Sequence, residues 1–180
     1  YEVAACAMQK KNFFFRDADG LNVIDGRTNH WGVEASGTVQ IHYRLNLSFA
    51  ATYASHTYDF TRTTGNANES IVNGDDVDTA PRVIANVRLT WRPLPGVTGE
   101  IEWQHMGRYY TDAANDNDYP GHDLINLRAT WDVTDAVQLY ATVRNATNTD
   151  YAERADFAFG SERYFPGESR AFSGGIALRF

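Results

Sequence analysis

The segment 146–169 combines the side chains best suited to hold an anionic, partly aromatic molecule. It contains Arg154 and Arg163 among five aromatic residues, which are Tyr151, Phe157, Phe159, Tyr164 and Phe165. Rings can stack on a ligand, and an arginine can make charge-assisted hydrogen bonds to an anion. We therefore select Arg154, Arg163 and Tyr164 as candidate ligand-binding residues. The alternative is that these side chains only pack the segment against its neighbours; Arg170 is expected to be structural.

A second candidate site is an oxygen-rich stretch. Its residues are Asp112, Asn115, Asp116, Asn117 and Asp118. Carboxylate and carbonyl oxygens are the ligands that calcium prefers, but the stretch lacks the glycine and the bidentate glutamate of a defined calcium loop. A solvated acidic loop is the simpler interpretation, and the same holds for Asp75, Asp76 and Asp78.

Other residues give no sign of catalysis, a resident metal or a cofactor. The five histidines, His30, His42, His56, His105 and His122, show neither HxH nor HExxH spacing. The single cysteine, Cys6, cannot form an internal disulfide and is expected to pack as a small apolar residue. No GxSxG occurs, so hydrolysis by a serine, histidine and acid set remains only an alternative. We predict no enzyme, no metal site and no cofactor.

Composition excludes several classes of protein. The 180 residues carry a net charge of -7, which disfavours binding to nucleic acid. Mean hydropathy is -0.47, and no run of apolar residues approaches the roughly 18 to 20 that a spanning helix requires. Strands that cross a membrane remain compatible with these values, because residues that alternate between lipid and lumen average to a polar sequence.

Alternation of apolar and polar residues is the dominant pattern, and it predicts the elements that position these sites. One clear example is Val83, Ala85, Val87, Leu89 and Trp91, opposed by Asn86, Arg88 and Thr90. Eight strands are predicted, at about 2–16, 30–42, 45–53, 83–91, 97–107, 123–132, 137–146 and 170–180. No convincing helix is present. The strand at 2–16 is the least regular.

The predicted connections alternate strictly in length. Long ones cover 17–29, 62–81, 108–122 and 147–169, and short ones cover 43–44, 92–96 and 132–136. Outer-membrane barrels have short periplasmic turns and long outer loops, and aromatic residues near their strand ends. The fold class is therefore predicted as all-β, an antiparallel transmembrane β-barrel segment of about eight strands. The last strand, ending in Phe180 with apolar residues at alternate positions, agrees with this prediction.

Five segments, in order, resemble one family. They are His30-Trp-Gly-Val-Glu34, Ala80-Pro81-Arg82, Met106-Gly-Arg-Tyr-Tyr-Thr-Asp112 followed by the strand from Leu124 to Trp131, Val143-Arg-Asn-Ala-Thr-Asn-Thr-Asp-Tyr151, and Tyr164-Phe-Pro-Gly-Glu-Ser-Arg170. Each motif is loose alone, but together they resemble the C-terminal part of the barrel of TonB-dependent outer-membrane receptors. Ala146 departs from the family pattern, which usually has leucine there.

The resemblance implies a 22-stranded barrel with a plugged lumen. Residues 1–180 would form about its last eight strands, with the plug domain and earlier strands absent. It implies import of a scarce nutrient, such as an iron-siderophore chelate, by TonB-coupled active transport across the outer membrane of a Gram-negative bacterium. Implied partners are outer-membrane lipid, the rest of the receptor, a ferric siderophore, and TonB through the missing N-terminal part.

Two other functions remain open. Eight strands can close into a small barrel, so the chain could be a self-contained membrane anchor or adhesin. An outer-membrane hydrolase is the less favoured alternative. The residues themselves do not identify the cargo.

Overall fold

The computed structural model describes residues 1–16, 21–65, 70–158 and 160–179. Regular structure in these residues is β throughout. The strands are β1 (Glu2–Arg16), β2 (Asn22–His42), β3 (Leu45–Tyr58), β4 (Val83–Trp91), β5 (Val97–Met106), β6 (Tyr109–Tyr110), β7 (Asp118–Tyr119), β8 (His122–Thr134), β9 (Val137–Arg144), β10 (Ala152–Ala158), β11 (Ser161–Pro166) and β12 (Ala171–Leu178). Within the described ranges, no helix has the length and apolar character needed to cross a membrane.

Eight of these strands form one antiparallel sheet. Their order is β1, β2, β3, β4, β5, β8, β9, β12, so each strand pairs with the next one of the sheet along the chain. The prediction of eight antiparallel strands is confirmed. β1 and β12 are the two edges of the sheet, and they do not pair with each other. The sheet is therefore open, which argues against a self-contained eight-stranded barrel.

Strand register gives the sheet one apolar face. A single row of paired residues crosses seven strands: Val39, Leu47, Leu89, Ile101, Leu127, Val143 and Phe172. Directly paired residues of antiparallel strands lie on the same side of the sheet. Several members of this row are exposed, including Val39 at 51% and Phe172 at 74%. A band of large exposed apolar side chains fits a surface whose solvent is lipid.

The opposite face is polar and carries charged groups. Glu102 lies at its centre and accepts hydrogen bonds from Asn86 at 2.8 Å, Arg88 at 2.9 Å and Asn126 at 3.0 Å. Only 17% of the Glu102 side chain is exposed. Because a charge held away from water must be paired and hydrogen-bonded, this network explains how the face keeps a carboxylate. The alternation predicted from sequence is therefore confirmed on both faces.

The connections at the two ends of the sheet differ in length, with one exception. At one end, here called the turn end, connections 43–44, 92–96 and 135–136 are short. The other end, here called the loop end, carries the long connections 59–82, 107–121 and 145–170, together with the short connection 17–21 between β1 and β2. Gly96 has a φ of +76°, and a Cβ there would lie 2.9 Å from the Asp132 carbonyl oxygen. Glycine is needed in this tight turn, since other residues disfavour that backbone conformation.

The loop end differs from the sequence prediction in three respects, one of which is that β3 runs to Tyr58 rather than ending at about residue 53. β2 begins at Asn22, so residues 22–29, predicted as loop, continue the strand and pair with β1. Segments 108–122 and 147–169, also predicted as loops, contain the strand pairs β6 with β7 and β10 with β11. Residues 22–29 do not alternate, which is why the pattern missed them. Phe180, part of the predicted terminal motif, lies outside the described residues.

Candidate ligand-binding surface at the loop end

Buried apolar residues are concentrated under the long connections rather than along the sheet. One cluster joins Tyr109, Tyr119, Ala152 and Ala155, and a second joins Tyr58, Phe60 and Ile71. The first is assembled from two connections, and Ala113 of a further connection packs against the second, so the connections support one another. The described parts of the loop end therefore form a packed surface rather than separate solvated loops.

Two tyrosines fix the hairpin formed by β10 and β11. The Tyr109 hydroxyl accepts a hydrogen bond from the Ala155 amide at 2.8 Å and donates to the Ala155 carbonyl at 3.2 Å. The Tyr119 hydroxyl accepts from the Ala152 amide at 3.0 Å. Burial raises the pKa of Tyr109, because the phenolate would lose its hydration. Tyr109 thus remains a neutral support for the hairpin.

The three residues selected from the sequence all lie on this hairpin. Arg154 is paired with Phe165, and Arg163 with Asp156, in the β10–β11 register. Both arginines reach the Asp156 carboxylate, Arg154 Nη2 at 2.6 Å and Arg163 Nε at 2.7 Å. The Tyr164 hydroxyl donates to Glu162, and its ring lies 6.5 Å from that of Tyr119. The structure therefore brings Arg154 and Arg163 together on one face of the hairpin, whereas Tyr164, paired with Ala155, lies on the opposite face.

Exposure and charge decide what this hairpin can bind. The Arg154 and Arg163 side chains are 62% and 42% exposed, whereas that of Asp156 is only 7% exposed. Asp156 neutralises one of the two positive charges. The Arg154 guanidinium also lies 5.6 Å from the centre of the Phe165 ring. The surface offers donors beside aromatic faces, which suits a planar anion more than a simple inorganic one.

The oxygen-rich stretch is occupied by internal hydrogen bonds. The Asp112 carboxylate accepts from the Asp116 amide at 2.9 Å and from the Asn117 side chain. Asn115 binds the backbone of Asp76 in the neighbouring connection at 2.8 and 2.9 Å. In the described part of the chain, no three His, Cys, Asp or Glu side chains lie close enough together to hold a metal ion. The stretch ties two connections together.

Two of the segments that carry the family resemblance bind each other. The Asn145 side chain donates to the carbonyl groups of Thr149 and Glu168, at 2.9 and 3.0 Å. Arg170 donates its amide to Asn148 at 3.0 Å and its guanidinium to the Ala146 carbonyl at 3.4 Å. The expected structural role of Arg170 is consistent with these contacts. The interlock fixes the start of β12 against the end of β9.

An ion pair completes this interlock. Arg144 donates to both carboxylate oxygens of Glu168, at 2.7 and 2.8 Å. These hydrogen bonds hold the pKa of Glu168 below its usual range. The same pair lines a cavity of about 360 Å³ together with Glu102, Asn126 and Tyr151. The cavity opens on the polar face.

The structure also joins two histidines that the linear sequence separates. His30 on β2 lies directly opposite His56 on β3, and their Nδ1 atoms share a hydrogen bond of 2.7 Å. Sequence spacing did not reveal this pair because the residues belong to different strands. Aligning the two strands about their 43–44 turn would not have found it either, because a β-bulge between Gln40 and His42 shifts the register by one residue, and the unshifted alignment pairs His30 with Thr57.

Comparisons with known proteins show which family the sequence matches and which solved structures share its fold. The sequence model of the TonB dependent receptor-like β-barrel matches residues 1–146. No curated protein sequence matches the chain. One similar solved structure is the siderophore receptor PiuA from Acinetobacter baumannii, with a TM-score of 0.80 and 19% identity over 98% of this chain and 25% of PiuA. A second is the ferric yersiniabactin uptake receptor FyuA from Yersinia pestis, with a TM-score of 0.80 and 14% identity over 99% of this chain and 27% of FyuA. A third is the copper transporter OprC, with a TM-score of 0.70 and 16% identity over 99% of this chain and 29% of OprC.

These similarities differ in what they establish. Identities of 14 to 19% show a shared fold, and the chain spans about a quarter of the length of each solved structure. The match to the family, in contrast, extends over most of the sequence, and the family is one of outer-membrane transport receptors rather than enzymes. The chain belongs to the TonB-dependent receptor-like β-barrel family.

Proposed function

We propose that residues 1–180 form the C-terminal wall of a receptor barrel in the outer membrane of a Gram-negative bacterium. The observation that carries this proposal is the open sheet of eight antiparallel strands, apolar on one face and polar on the other. An open sheet needs further strands to satisfy its two edges. Earlier strands of the same receptor would supply them, and its plug domain would fill the lumen.

The receptor imports a scarce nutrient by TonB-coupled active transport, and its cargo is an iron-siderophore chelate. PiuA and FyuA are receptors for such chelates, and OprC is a copper transporter, so similarity of fold leaves the cargo open. The hairpin of β10 and β11 supports the chelate, because exposed arginines beside aromatic rings suit an anionic, partly aromatic molecule. Arg154, Arg163 and Tyr164 are its proposed contacts.

Uptake of labelled iron tests this function. The receptor is produced in a Gram-negative strain that lacks its own siderophore receptors, and cells take up radioactive iron supplied as catecholate, hydroxamate or carboxylate chelates. We expect uptake of one chelate class, and loss of that uptake in an otherwise identical strain without TonB. Uptake that continues without TonB would contradict active transport, and uptake of no chelate would contradict the proposed cargo.

A further inference from the structure

Three side chains that favour copper lie in one row on the polar face of the sheet. Met8 on β1 is directly opposite His30 on β2, and His30 is directly opposite His56 on β3. Opposed residues of antiparallel strands have Cβ atoms about 4.5 to 5.5 Å apart on the same side of the sheet. His30 therefore has an imidazole on one side and a thioether on the other, and Met8 and His56 lie two strand spacings, about 10 Å, apart across the sheet.

The two imidazoles are already aimed at a common point. Their Nδ1 atoms are 2.7 Å apart, so one ring donates the hydrogen bond and the other accepts it. Two metal–nitrogen bonds of about 2.0 Å, the length typical of zinc–imidazole bonds, at an angle of about 110 to 120° would place the nitrogens about 3.3 to 3.5 Å apart. A small separation of the rings makes room for an ion. If the donating ring moves its proton from Nδ1 to Nε2, the Nδ1 atoms of both rings offer a lone pair to the ion, and no proton has to be released.

A buried hydroxyl orients the central histidine. The Thr28 Oγ1 atom lies 2.8 Å from His30 Nε2, and Thr28 is only 4% exposed. A histidine that binds a metal through one nitrogen usually donates the N–H of the other to an oxygen acceptor, such as a carboxylate, a backbone carbonyl or water, and the Thr28 hydroxyl oxygen is placed to serve as that acceptor. Thr28 therefore holds His30 Nδ1 toward His56, and it is a positioning residue.

The third side chain and the local charge indicate which metal fits. Met8 is 59% exposed and unbranched, so its thioether can turn toward the histidine pair. Thioether sulfur is a soft ligand that selects Cu(I) over harder cations, and imidazole also binds copper. Lys10 lies two residues from Met8 and opposite Thr28 on the same face. A nearby ammonium group disfavours a divalent ion more than a monovalent one.

We propose that His30, His56 and Met8 bind one Cu(I) ion on the polar face near the loop end. The three neutral ligands and the monovalent ion together add a single positive charge. No electron transfer is involved. The site does not depend on the cargo proposed above, because its ligands come from the sheet and not from the hairpin of β10 and β11.

Anaerobic titration of the purified receptor with Cu(I) tests the site. The receptor, in detergent, competes with a coloured Cu(I) chelator, and all proteins carry Cys6→Ser, because the exposed Cys6 thiol would itself bind copper. We expect one Cu(I) ion per receptor. His30→Gln and His56→Gln should each weaken binding at least tenfold, and Thr28→Val by about tenfold, as for other outer-shell partners. His42→Gln, on the same strand at the turn end, is the matched control and should not change binding.

Spectroscopy of the bound copper identifies the third ligand. X-ray absorption should show two nitrogen neighbours and one sulfur neighbour, and Met8→Leu should remove the sulfur while heat-modifiable mobility on gels stays unchanged. Equal Cu(I) affinity in the parent and in both histidine variants would overturn the proposal. A further comparison uses the receptor with its native Cys6. If that receptor binds Cu(I) and the Cys6→Ser receptor with both histidines intact does not, the copper belongs to the thiol and the proposal is overturned.

Discussion

Asp156 sets how much positive charge the candidate ligand-binding hairpin presents. Its carboxylate lies between Arg154 and Arg163, at 2.6 and 2.7 Å. Both arginines remain partly exposed, so an anionic ligand can approach them. A charge-assisted hydrogen bond that becomes buried on binding contributes about 1.5 to 3 kcal/mol, and 1.4 kcal/mol corresponds to tenfold in affinity.

We therefore expect combined substitution of Arg154, Arg163 and Tyr164 by alanine to weaken binding of the transported chelate at least about tenfold. Fluorescence quenching of the purified receptor by the chelate measures this affinity. Arg92→Ala, in a turn at the opposite end of the sheet, is the control and should leave affinity unchanged. If the triple variant inserts normally and binds the chelate as well as the parent does, the three residues only pack the hairpin.

Glu168 has the pH dependence of a paired carboxylate. The hydrogen bonds from Arg144 favour its charged form, so the pKa of Glu168 in the folded receptor lies below its usual value. The contribution of this pair to stability is then complete above the unfolded-state pKa, and it is lost as the pH falls through the lower, folded-state pKa. Because both side chains are about half exposed, the contribution is small.

An NMR titration of the carboxyl carbon of Glu168 checks this prediction. The midpoint should lie below that of an unpaired glutamate in the parent receptor and should rise toward it in Arg144→Gln. Arg108→Gln, which removes a different loop-end ion pair with Asp118, is the control and should leave the midpoint unchanged. A midpoint that does not move in Arg144→Gln would show that Arg144 does not stabilise the carboxylate.

The strands of the sheet present one face to lipid. Leu127 and Leu139 belong to the apolar face, whereas Thr130 and Thr142 belong to the polar face, which already carries Arg128. A charge facing lipid at the membrane midplane costs about 2 to 4 kcal/mol, but the polar face tolerates it. We expect Leu127→Arg or Leu139→Arg to destabilise the receptor by up to that amount, and Thr130→Arg or Thr142→Arg to do much less.

Denaturant titration of the receptor in lipid vesicles measures these differences. Thr130→Arg and Thr142→Arg are matched controls, since each introduces the same side chain on the same strand. Equal losses of stability in both sets would contradict the assignment of the two faces.

Sequence patterns predict the elements of this molecule better than their ends. Alternation locates all eight strands of the sheet, because each strand lies between an apolar and a polar environment for most of its length. It misses residues 22–29, where β2 extends beyond the alternating band. It also misses β10 and β11, whose position depends on contacts with Tyr109 and Tyr119 from another connection. Local patterns do not contain such contacts.

For the candidate sites too, the sequence predicts local groups of residues but not contacts between separate strands. Arg154, Arg163 and Tyr164 could be grouped from sequence because they lie close together along the chain. The ion pairs of both arginines with Asp156 could not be foreseen, since they depend on the register of the hairpin. The contact between His30 and His56 depends on register as well. Sequence reasoning thus finds clusters within one segment, whereas pairing between strands needs the structure.

At the scale of the whole molecule, the two edge strands of the sheet need partners for their backbone hydrogen-bonding groups. β1 and β12 each pair on one side only among the described strands. Long unpaired edges are prone to aggregation, so a functional protein covers them or closes the sheet. The proposed receptor does so with earlier strands of a wider barrel, whereas a self-contained protein would have to join β1 directly to β12.

The distance between β1 and β12 in the membrane tests this account most directly. Spin labels are attached to cysteines replacing Val3 and Phe172, in a receptor with Cys6→Ser, and their separation is measured by electron paramagnetic resonance, with continuous-wave spectra for short distances and pulsed spectra for long ones. Seven strand spacings of about 4.8 Å along a curved sheet predict roughly 30 Å between the labelled positions. The pair at Val143 and Phe172, directly opposite each other, is the short-distance control. A separation of about 5 to 10 Å between Val3 and Phe172 would show that β1 and β12 pair, and would contradict the account.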